Sequence, residues 1–244
     1  MAQIRNVCGF AAAIALLTVT GASAQTPSPS TSRFFASVNI GGQLASRTID
    51  MAASQSIYDE TATLNASLPI GKGVVPDFGG GYRVFGDVFV GLTVSFFSNT
   101  GTASTTASIP DPLFFNRSKT VTGTQANLEH SETAILPQLI YVRTLTDKLD
   151  VVGAIGPAII KVSQDTVNAF TVPPGTQNVT IAPTNESATG TGVNVSLGVN
   201  YNLTERYAVG GFARFAGAKV ELAASPDKLN VGGMQIGAGV RVNF

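Results

Sequence analysis

The run Val193 to Leu203 alternates without a break: Val193, Val195, Leu197, Val199, Tyr201 and Leu203 fall on one side, and Asn194, Ser196, Gly198, Asn200 and Asn202 on the other. A period of two is the signature of a strand with one apolar and one polar face, and it is incompatible with a helix. The pattern recurs. Val88, Val90, Leu92, Val94 and Phe96 oppose Phe89, Gly91, Thr93, Ser95 and Phe97, and Met234, Ile236, Ala238, Val240, Val242 and Phe244 oppose Gln235, Gly237, Gly239, Arg241 and Asn243. Strands are predicted at 34 to 46, 75 to 85, 88 to 97, 133 to 144, 150 to 162, 192 to 203, 207 to 221 and 231 to 244. Each has ten or more residues, enough at about 3.3 Å rise and about 45° tilt to climb roughly 23 Å, close to the apolar height of an outer membrane.

The segments between these strands run alternately long and short. The short ones are Gly86-Asp87, 145 to 149 and 204 to 206; the long ones are 47 to 74, 98 to 132, 163 to 191 and 222 to 230. Tight turns at one rim and long loops at the other are the form of an up-and-down antiparallel barrel. An even strand number puts both chain ends on the short-turn side, which would face the periplasm. A soluble β-sandwich also alternates, but its outer face carries Lys and Glu. Here the polar face is Gly, Ser, Thr, Asn and Gln, and only 12% of the chain is charged. The expected fold is all-β: an eight-stranded antiparallel up-and-down transmembrane β-barrel over 33 to 244.

Residues 1 to 24 read as a secretory signal peptide, with Arg5 as the positive start, an apolar run from Phe10 to Val19 and an Ala22-Ser23-Ala24 cleavage site. That run is too short to span a membrane as a helix, which takes about 20 residues. Residues 25 to 32 form a Pro/Ser linker.

These features resemble the small outer-membrane barrels of the OmpA transmembrane-domain and OmpX type. The resemblance rests on the signal site, on strand-turn units such as Gly81-Tyr82-Arg83-Val84-Phe85, and on the ending Gly239-Val240-Arg241-Val242-Asn243-Phe244. It implies a bacterial outer-membrane location and contact with outer-membrane lipids. It also implies a barrel-assembly signal, read by the barrel-assembly machinery, to which Gly239, Val242 and Phe244 correspond. A monomer is expected.

Function is less plainly written. Fifteen basic residues balance fifteen acidic ones, so no basic field gathers nucleic acid. One cysteine and one histidine exclude zinc-finger and haem sites, and no cofactor is expected. Asp77, Arg83, Lys161, Arg214 and Arg241 are expected in the lumen, where they would pair internally rather than form an anion-selective ring, since eight strands enclose only enough space for their own side chains. His130 with Glu132 on one face and Ser131 on the other lacks the same-face serine of PagL-type lipid A deacylases, and a rim position is expected for it. Phe114 and Phe115, in the long loop 98 to 132, are expected to pack back rather than stand free, because exposed paired Phe makes a sticky patch. Tyr58 to Leu68 alternates and suggests a hairpin above the membrane. The reading is a non-enzymatic barrel whose surface-exposed loops serve envelope structure or surface interaction. The alternative is a narrow passive channel for small or apolar solutes, of the OmpW kind, with room left by the inward glycines Gly79, Gly81, Gly91, Gly237 and Gly239.

Overall fold

The computed structural model describes residues 32–167, 169–173, 179–222 and 228–244. The predicted signal peptide, and the predicted linker except for Ser32, lie outside them. Among the described residues there is no helix. The strands are β1 (Phe34–Gln43), β2 (Arg47–Ile57), β3 (Glu60–Ile70), β4 (Gly73–Phe85), β5 (Val88–Pro110), β6 (Ser118–Thr146), β7 (Leu149–Thr166), β8 (Phe170–Thr171), β9 (Thr180–Ile181), β10 (Thr184–Asn202), β11 (Tyr207–Val220) and β12 (Leu229–Asn243).

Eight of them close a ring. β1 pairs with β4, β4 with β5, β5 with β6, β6 with β7, β7 with β10, β10 with β11, β11 with β12, and β12 with β1, every pairing antiparallel. The seam runs Phe35↔Asn243 to Gln43↔Gln235. It is finished by two backbone hydrogen bonds, Phe34 N–H to Phe244 O (3.2 Å) and Phe244 N–H to Phe34 O (2.8 Å). A closed ring leaves no unpaired edge, the condition for a sheet to cross lipid.

The outer face confirms the solvent. On β10 alone Val193, Val195, Leu197, Val199 and Tyr201 are exposed, and comparable rows cover the other seven strands, including Val38 and Ile40, Val74 and Phe78, Val90 and Leu92, Leu139, Ile155, Val209, Ile236 and Val240. A continuous apolar belt of this size is untenable in water and ordinary in a bilayer. At the short-turn end it is edged by exposed Phe34, Tyr82, Phe85, Tyr141, Tyr201 and Phe244, an aromatic girdle.

The long segments are not loops in the ordinary sense. β2 and β3 form a hairpin on the Tyr58-Asp59 turn, both residues having positive φ, and β3 adds to the upper part of β5 through Thr63↔Ser108 to Ser67↔Ser104. β5 and β6 continue as a ladder to Pro110↔Ser118, with an extra residue accommodated in β6 near Asn127, whose φ is +60°. The predicted hairpin around Tyr58 to Leu68 is thus present, whereas the expected loop 98 to 132 is mostly strand.

Above the lipid belt the sidedness of every long strand inverts. On β5, Val90, Leu92 and Phe96 face lipid; past the Phe96-Phe97 step the apolar residues are the inward Phe97, Ala103, Ala107 and Ile109, while Ser98, Thr100, Thr102, Ser104 and Thr106 face out. Ile135/Leu136, Ile159/Ile160 and Phe215/Ala216 mark the same step on β6, β7 and β11. Below it the wall is greasy outside, as lipid demands, and its inner face is polar except for the cluster of Phe89, Ile140 and Ala154 with Phe35, Val142 and Val152. Above it the wall is polar outside and encloses a dry core of Ile49, Met51, Leu64, Leu68, Leu128, Val162, Val167, Phe170, Val220, Leu222 and Leu229 among others. The protein is a membrane barrel continued into a water-facing β body.

Candidate functional site

Three polar tiers cross the interior, two beneath the dry core and one enclosed by it. At the short-turn end, Arg241 lies over the Phe35 ring (3.9 Å from guanidinium carbon to centroid), and Arg83 and Arg241 both flank Phe89 (5.0 and 5.7 Å). Arg241 Nε also donates to Asn243 Oδ1 at 3.0 Å. These stackings let guanidinium groups sit over the negative ring faces and keep their charge out of apolar contact.

The middle tier centres on Asp77, which is fully buried. Arg214 Nη2 donates to Asp77 Oδ2 at 2.9 Å and Asn39 Nδ2 to Asp77 Oδ1 at 2.5 Å. Arg214 further donates through Nε and Nη2 to Gln235 Oε1 at 2.9 and 2.8 Å, and its guanidinium lies 5.0 Å from the Phe212 centroid. Gln138 Nε2 donates to Thr93 Oγ1 at 2.6 Å. A cavity of about 120 Å³ adjoins this tier, lined by polar groups such as Asn39, Asp77 and Gln138 and by apolar ones such as Phe35, Ile140 and Phe212.

The upper tier lies above the lipid belt. Arg47 of β2 pairs with Glu132 of β6, and its Nη2 is 3.1 Å from His130 Nε2. His130 Nδ1 is 2.5 Å from Gln164 Oε1, and the amide of Gln164 is oriented by its own donation to Asp165 O at 2.8 Å. The imidazole donates from Nδ1 to Gln164, and its Nε2 lies between Glu132 Oε1, at 2.8 Å, and the Arg47 guanidinium. Glu132 Oε2 accepts the N–H of Gly232 at 3.0 Å, and Arg47 Nη1 donates to the carbonyl of the same Gly232 at 2.8 Å. Gly232 has φ +80°, and a Cβ there would come within 2.0 Å of Ala216 O; glycine is what lets β12 turn both backbone groups inward. Burial pushes His130 down to about 4, with Arg47 adding to the effect against the hydrogen bond to Gln164, and burial lowers Arg47 to about 10. His130 is thus neutral at physiological pH, and the ion pair is Arg47 with Glu132.

This tier clasps β2, β6, β7 and β12 together, so acid should loosen it. A folded-state pKa below the ordinary imidazole value means the folded protein binds the proton less well than the unfolded chain. The contribution to stability is complete above the ordinary range and falls as pH drops through it towards about 4. Protease resistance of the water-facing body should decline over that interval, and His130→Gln should flatten the decline. An identical pH profile in both proteins would contradict the assignment.

Several expectations change. Lys161 is exposed on the outer face of β7 and does not enter the lumen, because Ile160 and Val162 take the inward positions on either side of it. His130 is no rim residue: it is 0% exposed, enclosed by Gln164, Glu132, Arg47 and the edge of Phe97. Ser131 points away from it, as alternation requires. Phe114 and Phe115 do not pack back but stand 57% and 73% exposed at the β5–β6 tip. The inward glycines do not open the lumen either. A Cβ at Gly81 would strike the Phe35 ring at 2.4 Å, at Gly91 the Ile140 side chain at 2.6 Å, at Gly237 the Phe212 ring at 2.7 Å, and at Gly239 Asn39 Oδ1 at 2.0 Å. Neighbouring groups lie too close at these positions to leave a continuous path. Asp77, Arg83, Arg214 and Arg241 are on the inner face. Arg47, Gln164 and Gly232 escape a reading from sequence, since they lie in segments without strong alternation; the Gly232-Gly233 pair, both at positive φ, is the one available sign of a local break in the strand's conformation.

The sequence profile of the outer membrane protein beta-barrel domain matches residues 12–244. No curated protein matches the chain by sequence. Among solved structures, the outer membrane protein OprG from Pseudomonas aeruginosa is 10% identical, with 90% of this chain and 99% of that one covered and a TM-score of 0.51. Neisserial surface protein A is 16% identical, covering 86% and 97%, at 0.47, and the attachment invasion locus protein Ail of Yersinia pestis is 13% identical, covering 86% and 99%, at 0.35. The likeness to OprG supports the fold and carries nothing about activity. With a closed ring, a lipid-facing belt and a profile match over nearly its whole length, the chain belongs to the outer membrane protein beta-barrel domain family and resides in the bacterial outer membrane.

Proposed function

We propose that this protein is a non-enzymatic envelope barrel that acts through the β body it holds above the membrane, in envelope structure or surface interaction, and not by passing solutes. The observation that carries this reading is the obstructed lumen: two polar tiers lie beneath a dry core that encloses the third, and the inward glycines Gly81, Gly91, Gly237 and Gly239 are approached closely by Phe35, Ile140, Phe212 and Asn39. The passive-channel alternative needed those glycines as free space. Catalysis at His130 would need a reachable nucleophile, and the imidazole is enclosed and committed to Gln164, Glu132 and Arg47. On intact cells, protease should cut at the outer tip near 111 to 117 and spare the turns at 86–87, 145–149 and 204–206. Cleavage confined to those turns, or recovery of the protein in a soluble fraction, would overturn the reading.

Assembly follows from the same reading, with a monomeric barrel inserted by the barrel-assembly machinery through Gly239, Val242 and Phe244. Phe244 is exposed in the girdle and its backbone closes the seam against Phe34. Phe244→Ser should therefore reduce the heat-modifiable, membrane-embedded fraction well below that of Phe115→Ser at matched expression. Equal yields for Phe244→Ser and the unaltered protein would remove this role.

A further inference from the structure

The β5–β6 tip presents Leu113, Phe114 and Phe115 at 83%, 57% and 73% exposure. From the lipid-facing Phe96 the strand climbs 14 further residues to Pro110, and at about 3.3 Å rise and about 45° tilt this lifts the tip roughly 30 Å clear of its own bilayer. The apolar tip is thus held in water, far from the lipid that surrounds the barrel.

The tip is built to keep that shape. Asp111 N–H donates to Arg117 O at 2.6 Å, and Asp111 Oδ1 accepts the N–H groups of Leu113 (2.9 Å) and Phe114 (3.3 Å). Asn116, at φ +56°, donates its N–H to Glu60 Oε1 at the end of the neighbouring hairpin. These backbone donors are satisfied within the protein, so the loop can enter a medium of low polarity without leaving them unpaired. The Arg117 guanidinium lies 5.5 Å from the Phe114 centroid, and Lys119 is exposed two residues on, so aromatic bodies rimmed by charged groups of both signs stand at the tip, an arrangement suited to the headgroup level.

We propose that Leu113, Phe114 and Phe115 insert into the headgroup-acyl boundary of a phospholipid bilayer apposed to the cell surface. A folded protein is the poorer occupant. A stable protein interface takes about 20 to 30 residues a side, and this is a convex point of three apolar side chains. A bilayer interface accepts such a point, and affinity then comes from many copies on one surface engaging together. Asp59, Glu60 and Asp111 outweigh Arg117 and Lys119, so apolar insertion drives binding and anionic lipid is not required.

The inference deepens the surface-interaction reading above and is tested apart from it. The chain contains no tryptophan, so Phe115→Trp installs a single reporter at the tip. Full-length protein carrying it, in phosphatidylcholine nanodiscs, is mixed with phosphatidylcholine vesicles bearing brominated acyl chains. The expected result is a blue shift of emission with loss of most of the intensity, abolished when Leu113→Ser and Phe114→Ser are added. The unaltered protein should co-float with the vesicles and the triple serine variant at 113, 114 and 115 should not, both remaining heat-modifiable. Emission unchanged by vesicles, or quenching only when the nanodisc lipid carries the bromine, would overturn the inference. Neither outcome touches the obstructed-lumen reading, which stands or falls on conductance.

Discussion

Asp77→Ala should destabilise the barrel by about 3–5 kcal/mol, the usual cost of stripping one partner from a buried ion pair. Arg214 is 5% exposed and would lose its carboxylate in the middle of the lumen, with only the neutral Gln235 left to accept from it. Asn39 would lose its acceptor in the same step. The double variant Asp77→Leu, Arg214→Met should recover most of the loss, because it removes both charges and keeps the volume. Urea unfolding in detergent micelles, with heat-modifiable migration as a second probe, reads both. If the single variant lies within about 1 kcal/mol of the unaltered protein, as surface substitutions do, the tier does not brace the lumen.

Leu64→Asp addresses the water-facing body. Leu64 is 1% exposed in the dry core between β3 and the upper part of β5, and a carboxylate there has no partner, a burial that costs several kcal/mol. A loss of about 3 kcal/mol raises the population of the opened body roughly hundredfold, and limited proteolysis within 47 to 70 and 98 to 132 should accelerate accordingly. The barrel below should remain closed and heat-modifiable, since its own ring of hydrogen bonds does not pass through the body. Loss of both together would mean that barrel and body fold as one unit.

The eight-stranded ring was legible because the lipid belt writes large apolar residues at alternate positions with Gly, Ser, Asn or Thr between them, as in Val193 to Leu203. The body above was legible only in part, around Tyr58 to Leu68. Its walls carry Ala103, Thr105 and Ala107 inward against Ser104 and Thr106 outward, side chains so similar in size and polarity that the period fades although the strand persists. Lys161 was misplaced for a related reason. Ile159-Ile160 is apolar on both faces where the sidedness inverts, so the alternation there does not say which face is inside. The His130 cluster could not be seen because its partners come from four strands and include a backbone group: Arg47 lies 83 residues and Gly232 about a hundred residues away along the chain. The glycines misled in another way. A missing side chain reads as room, yet in a narrow barrel the neighbour's ring lies down in it, as Phe35 does over Gly81 and Phe212 over Gly237.

The most direct test of a lumen too obstructed to pass solutes is electrical. Purified protein reconstituted in planar bilayers, with insertion verified by heat-modifiable migration of the same preparation, should show no discrete current steps above the lipid baseline. Reproducible unitary steps, enlarged when Phe35 or Phe212 is replaced by alanine, would contradict it and show that solutes pass where those rings now lie.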